Sequence, residues 1–334
     1  METRTAYGLS VDRQLLTRLS KSLQFVFALV VLYVVGKFIY SQWQEISRID
    51  FTLVPLLFIF AIAVLLLFYL LYAFSWVRLI GWFHEGPPGF STIRLARIFF
   101  VSLITRYLPA GKIVNVGSRI ELYKREDGRR LVAAKSILVE QFYLIGCALL
   151  FAWITILLVP DILLPQEISP YRILMLLGGG ALLVVLASAD LIYSKIAEKI
   201  NFEKMRELDI SITWRQRIEL LIRYLVINFY QGSAAFLFLT SVYHDSVMSP
   251  ELFLYTAAAY PVSRFIGQMV VFIPGGIGVR EGLFALALSP YFPVPVVLLA
   301  GAVMRLSSVL LEILIIMVTF LFDRSDRVGE SLYG

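Results

Sequence analysis

The chain has 334 residues, 59% of them hydrophobic and only 16% charged, with a mean hydropathy of +0.80. A soluble domain is about half apolar and about one quarter charged, so these proportions exclude a water-soluble globule and a disordered chain alike. The net charge of +6 would raise nucleic acid as a partner for a soluble protein. In a membrane protein it raises instead the question of where the positive charges sit, and no nucleic-acid partner is expected.

A bilayer-crossing helix needs about 20 largely apolar residues. In chain order the candidates are Leu23 to Tyr40, Phe51 to Val77, a third from near Leu131 to Pro160, Arg172 to Tyr193, Tyr224 to Tyr243, and Val294 to Phe322. Two further apolar stretches do not read as simple crossings. Ile93 to Leu108 carries Arg94, Arg97 and Arg106 and stops at Pro109; Leu252 to Ile273 runs into Pro274-Gly275-Gly276 and then a short run from Gly282 to Ser289. Both read as re-entrant hairpins, because irregular backbone at membrane depth is tolerated only where protein or a cavity covers it. Between the spans, Ile196 to Ile218 places Ile196, Ile200, Met205, Leu208 and Ile212 among charges, the pattern of an amphipathic helix lying on the membrane surface.

The basic residues set the direction. With six crossings, 24 of the 30 lysines and arginines fall on one face, and Arg48 and Arg172 fall on the other. That face is cytoplasmic by the positive-inside rule, so both termini are expected there, in a multi-pass protein of the plasma membrane. Lys37, Arg264, Arg280 and Arg305 remain at membrane depth. The expected fold is an all-α integral membrane protein of about six transmembrane helices plus two re-entrant helical hairpins, in one polytopic domain spanning 1–334. It divides into an inverted repeat of about 23–159 and 172–322, an architecture of many secondary transporters.

The run Pro274 to Gly282 is the most informative. Its glycines permit close backbone approach. Unpaired N–H groups of Gly275, Gly276 and Gly278 near a helix start would form an anion-binding nest, and Arg280 would add a fork suited to phosphate. The plain alternative is a tight turn in which Arg280 and Glu281 neutralise one another. The first hairpin offers Arg106 and Arg119 as a second anion site, against the alternative that they mark topology or touch anionic lipids; Lys124, Arg125, Arg129 and Arg130 read as a headgroup-facing cluster. Arg264 would complement Glu281 or line the second hairpin. Arg305, Glu312 and Glu140 are intramembrane charges, with structural pairing or a coupling proton as the roles of the two glutamates. Asn228 and Gln231 suggest helix–helix contacts. Cys147 stands alone in an apolar run, and His84 and His244 are isolated, so no metal site and no cofactor is expected.

Together Pro109, Gly111, Gly117 and Arg119, followed by the Pro-Gly-Gly-x-Gly-x-Arg-Glu-Gly run of Pro274 to Gly282, resemble the lysylphosphatidylglycerol synthase transmembrane family. That family includes the flippase-like domain of the multiple peptide resistance factor. The resemblance covers about Leu23 to Phe322. Where the family often carries an acidic residue in its first motif, this chain has Asn115 and Ser118, which points to a different headgroup preference. Two-part members add a soluble aminoacyl-transferase domain; this chain ends at Gly334, so synthase activity is not expected. The resemblance implies translocation between leaflets of an anionic phospholipid or a polyprenyl-phosphate-linked lipid, without enzymatic activity, with Arg280 and the Gly275–Gly278 backbone holding the headgroup and Arg106 and Arg119 receiving it. Three other classes stay open: a non-transporting partner of a separately encoded lipid glycosyltransferase or synthase, a membrane-embedded lipid transferase, and a carrier of a soluble anion. The sequence leaves lipid, direction, coupling ion and oligomeric state open.

Overall fold

A computed structural model describes residues 53–84, 91–108, 111–126, 128–159, 172–188, 210–243, 249–269, 276 and 278–333, with side chains as far as residue 321 in the last helix. The described residues are helical and connecting, with no strand among them.

Helix α1 (Pro55–Phe83) starts with a proline at its first position, where the missing N–H costs nothing. Its buried stripe Ala61, Leu65, Phe68, Tyr69, Tyr72, Trp76 and Leu79 recurs at helical spacing, while Leu56, Ile59 and Phe60 on the other side are more than half exposed. Such an apolar outer face is untenable in water and is what hydrocarbon requires. Helix α2 (Thr92–Ile104) begins at a Ser91 cap that accepts from Arg94 N–H and ends in a 3₁₀ turn, Thr105–Tyr107. Helix α3 (Gly111–Arg125) returns antiparallel to it. Thr105 Oγ1 meets Ser118 Oγ at 3.1 Å, Asn115 Nδ2 donates to Ser102 O at 2.6 Å, and Arg94 reaches Glu126 at 3.5 Å. Then follow α4 (Arg130–Leu158) and α5 (Arg172–Ala187).

Helix α6 (Trp214–Val242) opens with a reciprocal Thr213–Gln216 capping box and lies at the centre of the bundle, most of its length buried inside the protein. Because protein and not lipid surrounds it, it tolerates Asn228, Gln231, Gly232 and Ser233 in mid-span. A Cβ on Gly232 would run into the carbonyl of Ala257, so this glycine lets α6 touch the backbone of α7 (Pro250–Met269), the close approach that small residues allow between membrane helices. α1 and α6 run antiparallel: Val54 N–H donates to Ser241 O, Phe58 packs edge-on to Phe238 at 5.5 Å, and Arg78 meets Glu219 at 3.2 Å.

Helix α8 (Val279–Leu288) folds back on α7. Tyr255 OH donates to Ala287 O at 2.7 Å, Tyr260 packs on Phe284 at 5.1 Å, and a Cβ on Gly267 would press on Arg280 at 2.9 Å. Helix α9 (Val294–Tyr333) completes the fold. Leu306, Leu310, Leu314, Met317 and Leu321 form a continuous exposed stripe along it.

Four helices, α1, α4, α6 and the Val294–Leu321 part of α9, are long and apolar enough to cross a membrane, which marks a membrane protein. The expected first crossing, Leu23 to Tyr40, lies outside the described residues. The expected fourth is represented by α5, whose 16 residues span about 24 Å at 1.5 Å per residue, short of the roughly 30 Å hydrocarbon thickness. The expected surface helix at Ile196 to Ile218 is corrected at its described end. Residues 210–213 are not helical, and Ile210 and Ile212 are buried in the core, because α6 begins at Trp214 and draws them under the bundle. A long helix, an antiparallel pair of shorter helices and another long helix occur twice in succession, as α1 to α4 and as α6 to α9.

Candidate functional site

A cavity of about 80 Å³ lies between the two helical pairs and α1, α4, α6 and α9. That is room for several waters. Its walls carry Arg106, Lys112, Arg119, Arg264, Arg280 and Arg305. Most of the charges left at membrane depth by the sequence therefore converge on one space.

The turn after α2 places Arg106 beside Glu312 of α9. Tyr69 OH donates to Glu312 Oε1 at 2.6 Å, and Arg106 Nη2 donates to the same oxygen, to Tyr107 OH at 2.7 Å and to Tyr69 OH at 3.3 Å. Glu312 is fully buried, and its Oε2 has no hydrogen-bond partner among the described residues. One turn deeper on α1 the motif recurs. Arg119 Nη1 donates to Glu140 Oε1 and Oε2 at 3.0 and 2.9 Å, Tyr72 OH donates to Glu140 Oε1 at 2.9 Å, and Gln141 Nε2 donates to it at 3.1 Å. Arg119 also donates through Nε to Ser102 Oγ at 3.0 Å and lies over the Phe99 ring at 4.5 Å. Each unit joins a tyrosine of α1, an arginine of the first helical pair and a glutamate of a long helix.

The second pair contributes differently. Glu281, in the first turn of α8, accepts from Arg280 Nε at 3.2 Å and from Arg305 Nη1 at 3.0 Å through the same oxygen. Its other oxygen accepts from Gly278 N–H at 2.9 Å. The N–H expected to face an anion is thus taken by the helix's own carboxylate. Gly276 and Gly278 have φ of +66° and +83°, a conformation that favours glycine. Gly276 lines the cavity; Gly275 lies outside the described residues.

Arg264 of α7 donates through Nη1 to Gln231 Oε1 at 2.9 Å and lies over the Phe68 ring at 5.5 Å. It is buried to 6% exposure. No carboxylate stands within ion-pair distance of it among the described residues, so the expected complement to Glu281 does not form. The same is true of half-buried Lys112.

Of the residues singled out from the sequence, Arg106, Arg119, Arg264, Gly276, Arg280 and Arg305 line the cavity. Glu140, Glu281 and Glu312 sit behind it as partners of those arginines. Asn228 and Gln231 both make the expected interhelical contacts, Asn228 donating to Leu144 O of α4 at 3.2 Å and Gln231 accepting from Arg264 of α7 at 2.9 Å. Lys124, Arg125, Arg129 and Arg130 take no part; Arg130, 60% exposed, pairs with Glu121 at 2.8 Å. Sequence reasoning missed Tyr69, Tyr72, Gln141, Tyr260 and Gln268 in the walls. A signal existed for the first two. Tyrosines three apart inside an otherwise apolar span need partners for both hydroxyls on one face.

A scan against protein-family models and a search of curated proteins give no match to this chain.

Proposed function

We propose that the chain is a flippase-like carrier that moves a lipid with an anionic headgroup between the leaflets of the plasma membrane, akin to the lysylphosphatidylglycerol synthase transmembrane family and without enzymatic activity. One observation carries this reading. Six cationic side chains line one cavity, and among the described residues three carboxylates, Glu140, Glu281 and Glu312, pair with them. Buried charge at membrane depth is costly and is retained where it serves a substrate path. A cationic space inside an apolar exterior fits a headgroup crossing while its tails stay in lipid.

In this reading the pairs α2–α3 and α7–α8 are re-entrant hairpins entering from opposite leaflets, with both termini cytoplasmic. The antiparallel course of α1 and α6, the helices that precede the two pairs, supports an inverted repeat. Arg280 and Arg305 hold the headgroup from the second hairpin, and Arg106 and Arg119 from the first. Anionic membrane lipids are the partners; a separately encoded lipid-modifying enzyme would supply or consume them.

The test is reconstitution of the full chain in liposomes containing a fluorescent anionic lipid or its zwitterionic counterpart. Wild type accelerates leaflet exchange of the anionic lipid alone, and Arg280→Ala slows it at least tenfold. Exchange no faster than in protein-free liposomes overturns the reading, and co-purification of a stoichiometric partner would then favour an accessory role.

A further inference from the structure

The imbalance of charge in the cavity is larger than one anion of unit charge would meet. Arg106 and Arg119 each hold a glutamate, and Arg280 and Arg305 share one oxygen of Glu281. Arg264 and Lys112 have no carboxylate partner among the described residues. Arg264 is also within coulombic reach of Arg106 and Arg280, and Lys112 of Arg264, so the unpaired charges repel one another across the same space. Low-dielectric surroundings strengthen that repulsion, and an anion between the cations relieves it.

We propose that the occupant of this cavity presents a phosphate carrying about two negative charges, as a phosphomonoester or diphosphate does, and not the single charge of a phosphodiester. The inference rests on the proposed function for its lipid and adds the charge class of the headgroup. A phosphomonoester carries about −1.5 to −2 at pH 7 and three strong acceptor oxygens. Arg264 would take one oxygen while keeping Gln231 on Nη1, since a guanidinium has five N–H donors in a fixed fork. Lys112 would take a second as a point charge, and Arg280 the third, because it shares its one Glu281 oxygen with Arg305. A diester leaves one unit of positive charge fewer compensated.

The experiment uses the purified full chain in mixed micelles and lipids with matched tails. Dioctanoyl phosphatidic acid supplies the monoester, dioctanoyl phosphatidylglycerol the diester, and inorganic pyrophosphate the free anion. Binding is read calorimetrically at pH 7.5 and fixed ionic strength. Phosphatidic acid is expected to bind at least tenfold more tightly than phosphatidylglycerol. Arg264→Gln and Lys112→Gln are each expected to lower that ratio several-fold. Lys112 is only half buried, so its variant reports on charge even if Arg264→Gln impairs folding. Equal binding of the two lipids, or a ratio untouched by Lys112→Gln, overturns the charge assignment and leaves the lipid reading standing. Pyrophosphate binding as tightly as phosphatidic acid leaves the charge assignment standing and overturns the lipid reading. Binding of none of the three overturns both.

Discussion

Arg119 and Glu140 form a forked pair in which one guanidinium nitrogen lies 3.0 and 2.9 Å from the two carboxylate oxygens, and their side chains are 2% and 0% exposed. A pair this deep is held by geometry, because each charge has lost its water. Removing one partner strands the other and costs about 3–5 kcal/mol, whereas replacing both by apolar groups is often neutral. Glu140→Ala is therefore expected to collapse the thermal midpoint in detergent, and Arg119→Met with Glu140→Leu to recover most of it. A double variant no better than the single one would show that Arg119 is held chiefly by Ser102 and Phe99.

Two buried tyrosine hydroxyls predict opposite behaviour. Tyr69 OH donates to Glu312 at 2.6 Å, whereas Tyr224 OH has no hydrogen-bond partner among the described residues. Tyr69→Phe leaves a buried carboxylate short of a donor, at a cost of about 1–3 kcal/mol. Tyr224→Phe removes a hydroxyl that gains nothing, and is expected to be neutral or stabilising. Thermal unfolding of the two variants side by side checks the order.

Gly276 and Gly278 separate strain from collision. Both have positive φ, but a Cβ on Gly276 would also meet Gly267 O at 2.6 Å, while Gly278 faces open space. Gly278→Ala should incur the strain alone, about 1–3 kcal/mol. Gly276→Ala should cost more, because the tip of the α7–α8 pair must open. Equal midpoints would mean that the backbone there relaxes freely.

Gly232 sets the distance between α6 and α7. Gly232→Leu cannot be accommodated against the Ala257 carbonyl without separating the helices and moving Arg264 away from Gln231. The proposed leaflet exchange should fall at least tenfold with it. A cysteine pair bridging α6 and α7 should no longer form its disulfide in this background, and undiminished cross-linking would contradict the wedge.

Much of this was legible beforehand. Long apolar runs point to α1, α4, α6 and α9, since hydropathy over 20 residues depends on the solvent and not on neighbours. The antiparallel pairs are legible in Pro109 and in the glycine run near Gly276, because proline stops a helix locally and glycine admits the positive φ of a tight turn. The end of the expected surface helix failed for the complementary reason. Ile210 and Ile212 carry the same apolar signal whether they face lipid or the underside of α6, and periodicity does not tell the two apart. The candidate arginines were found as residues but not as partners. For Arg264 the sequence offers Glu281, seventeen positions away, or a place lining the second hairpin; in the structure it lines the cavity and pairs with Gln231 of the preceding long helix.

By itself the sequence determined that this chain belongs in a membrane, that its surplus of positive charge is concentrated at a few places, and that those places include two glycine- or proline-bearing turns. These properties are local or additive, set by side-chain solvation and backbone sterics. Only the tertiary structure decided which charges neutralise one another. Arg106 and Glu312 lie 206 positions apart, and Tyr69 and Glu312 lie 243 apart. An ion pair of that kind depends on how helices pack, and no spacing along the chain encodes it. Among the described residues that packing leaves Arg264 and Lys112 on the cavity wall without a carboxylate partner, a result no count of charges along the chain contains.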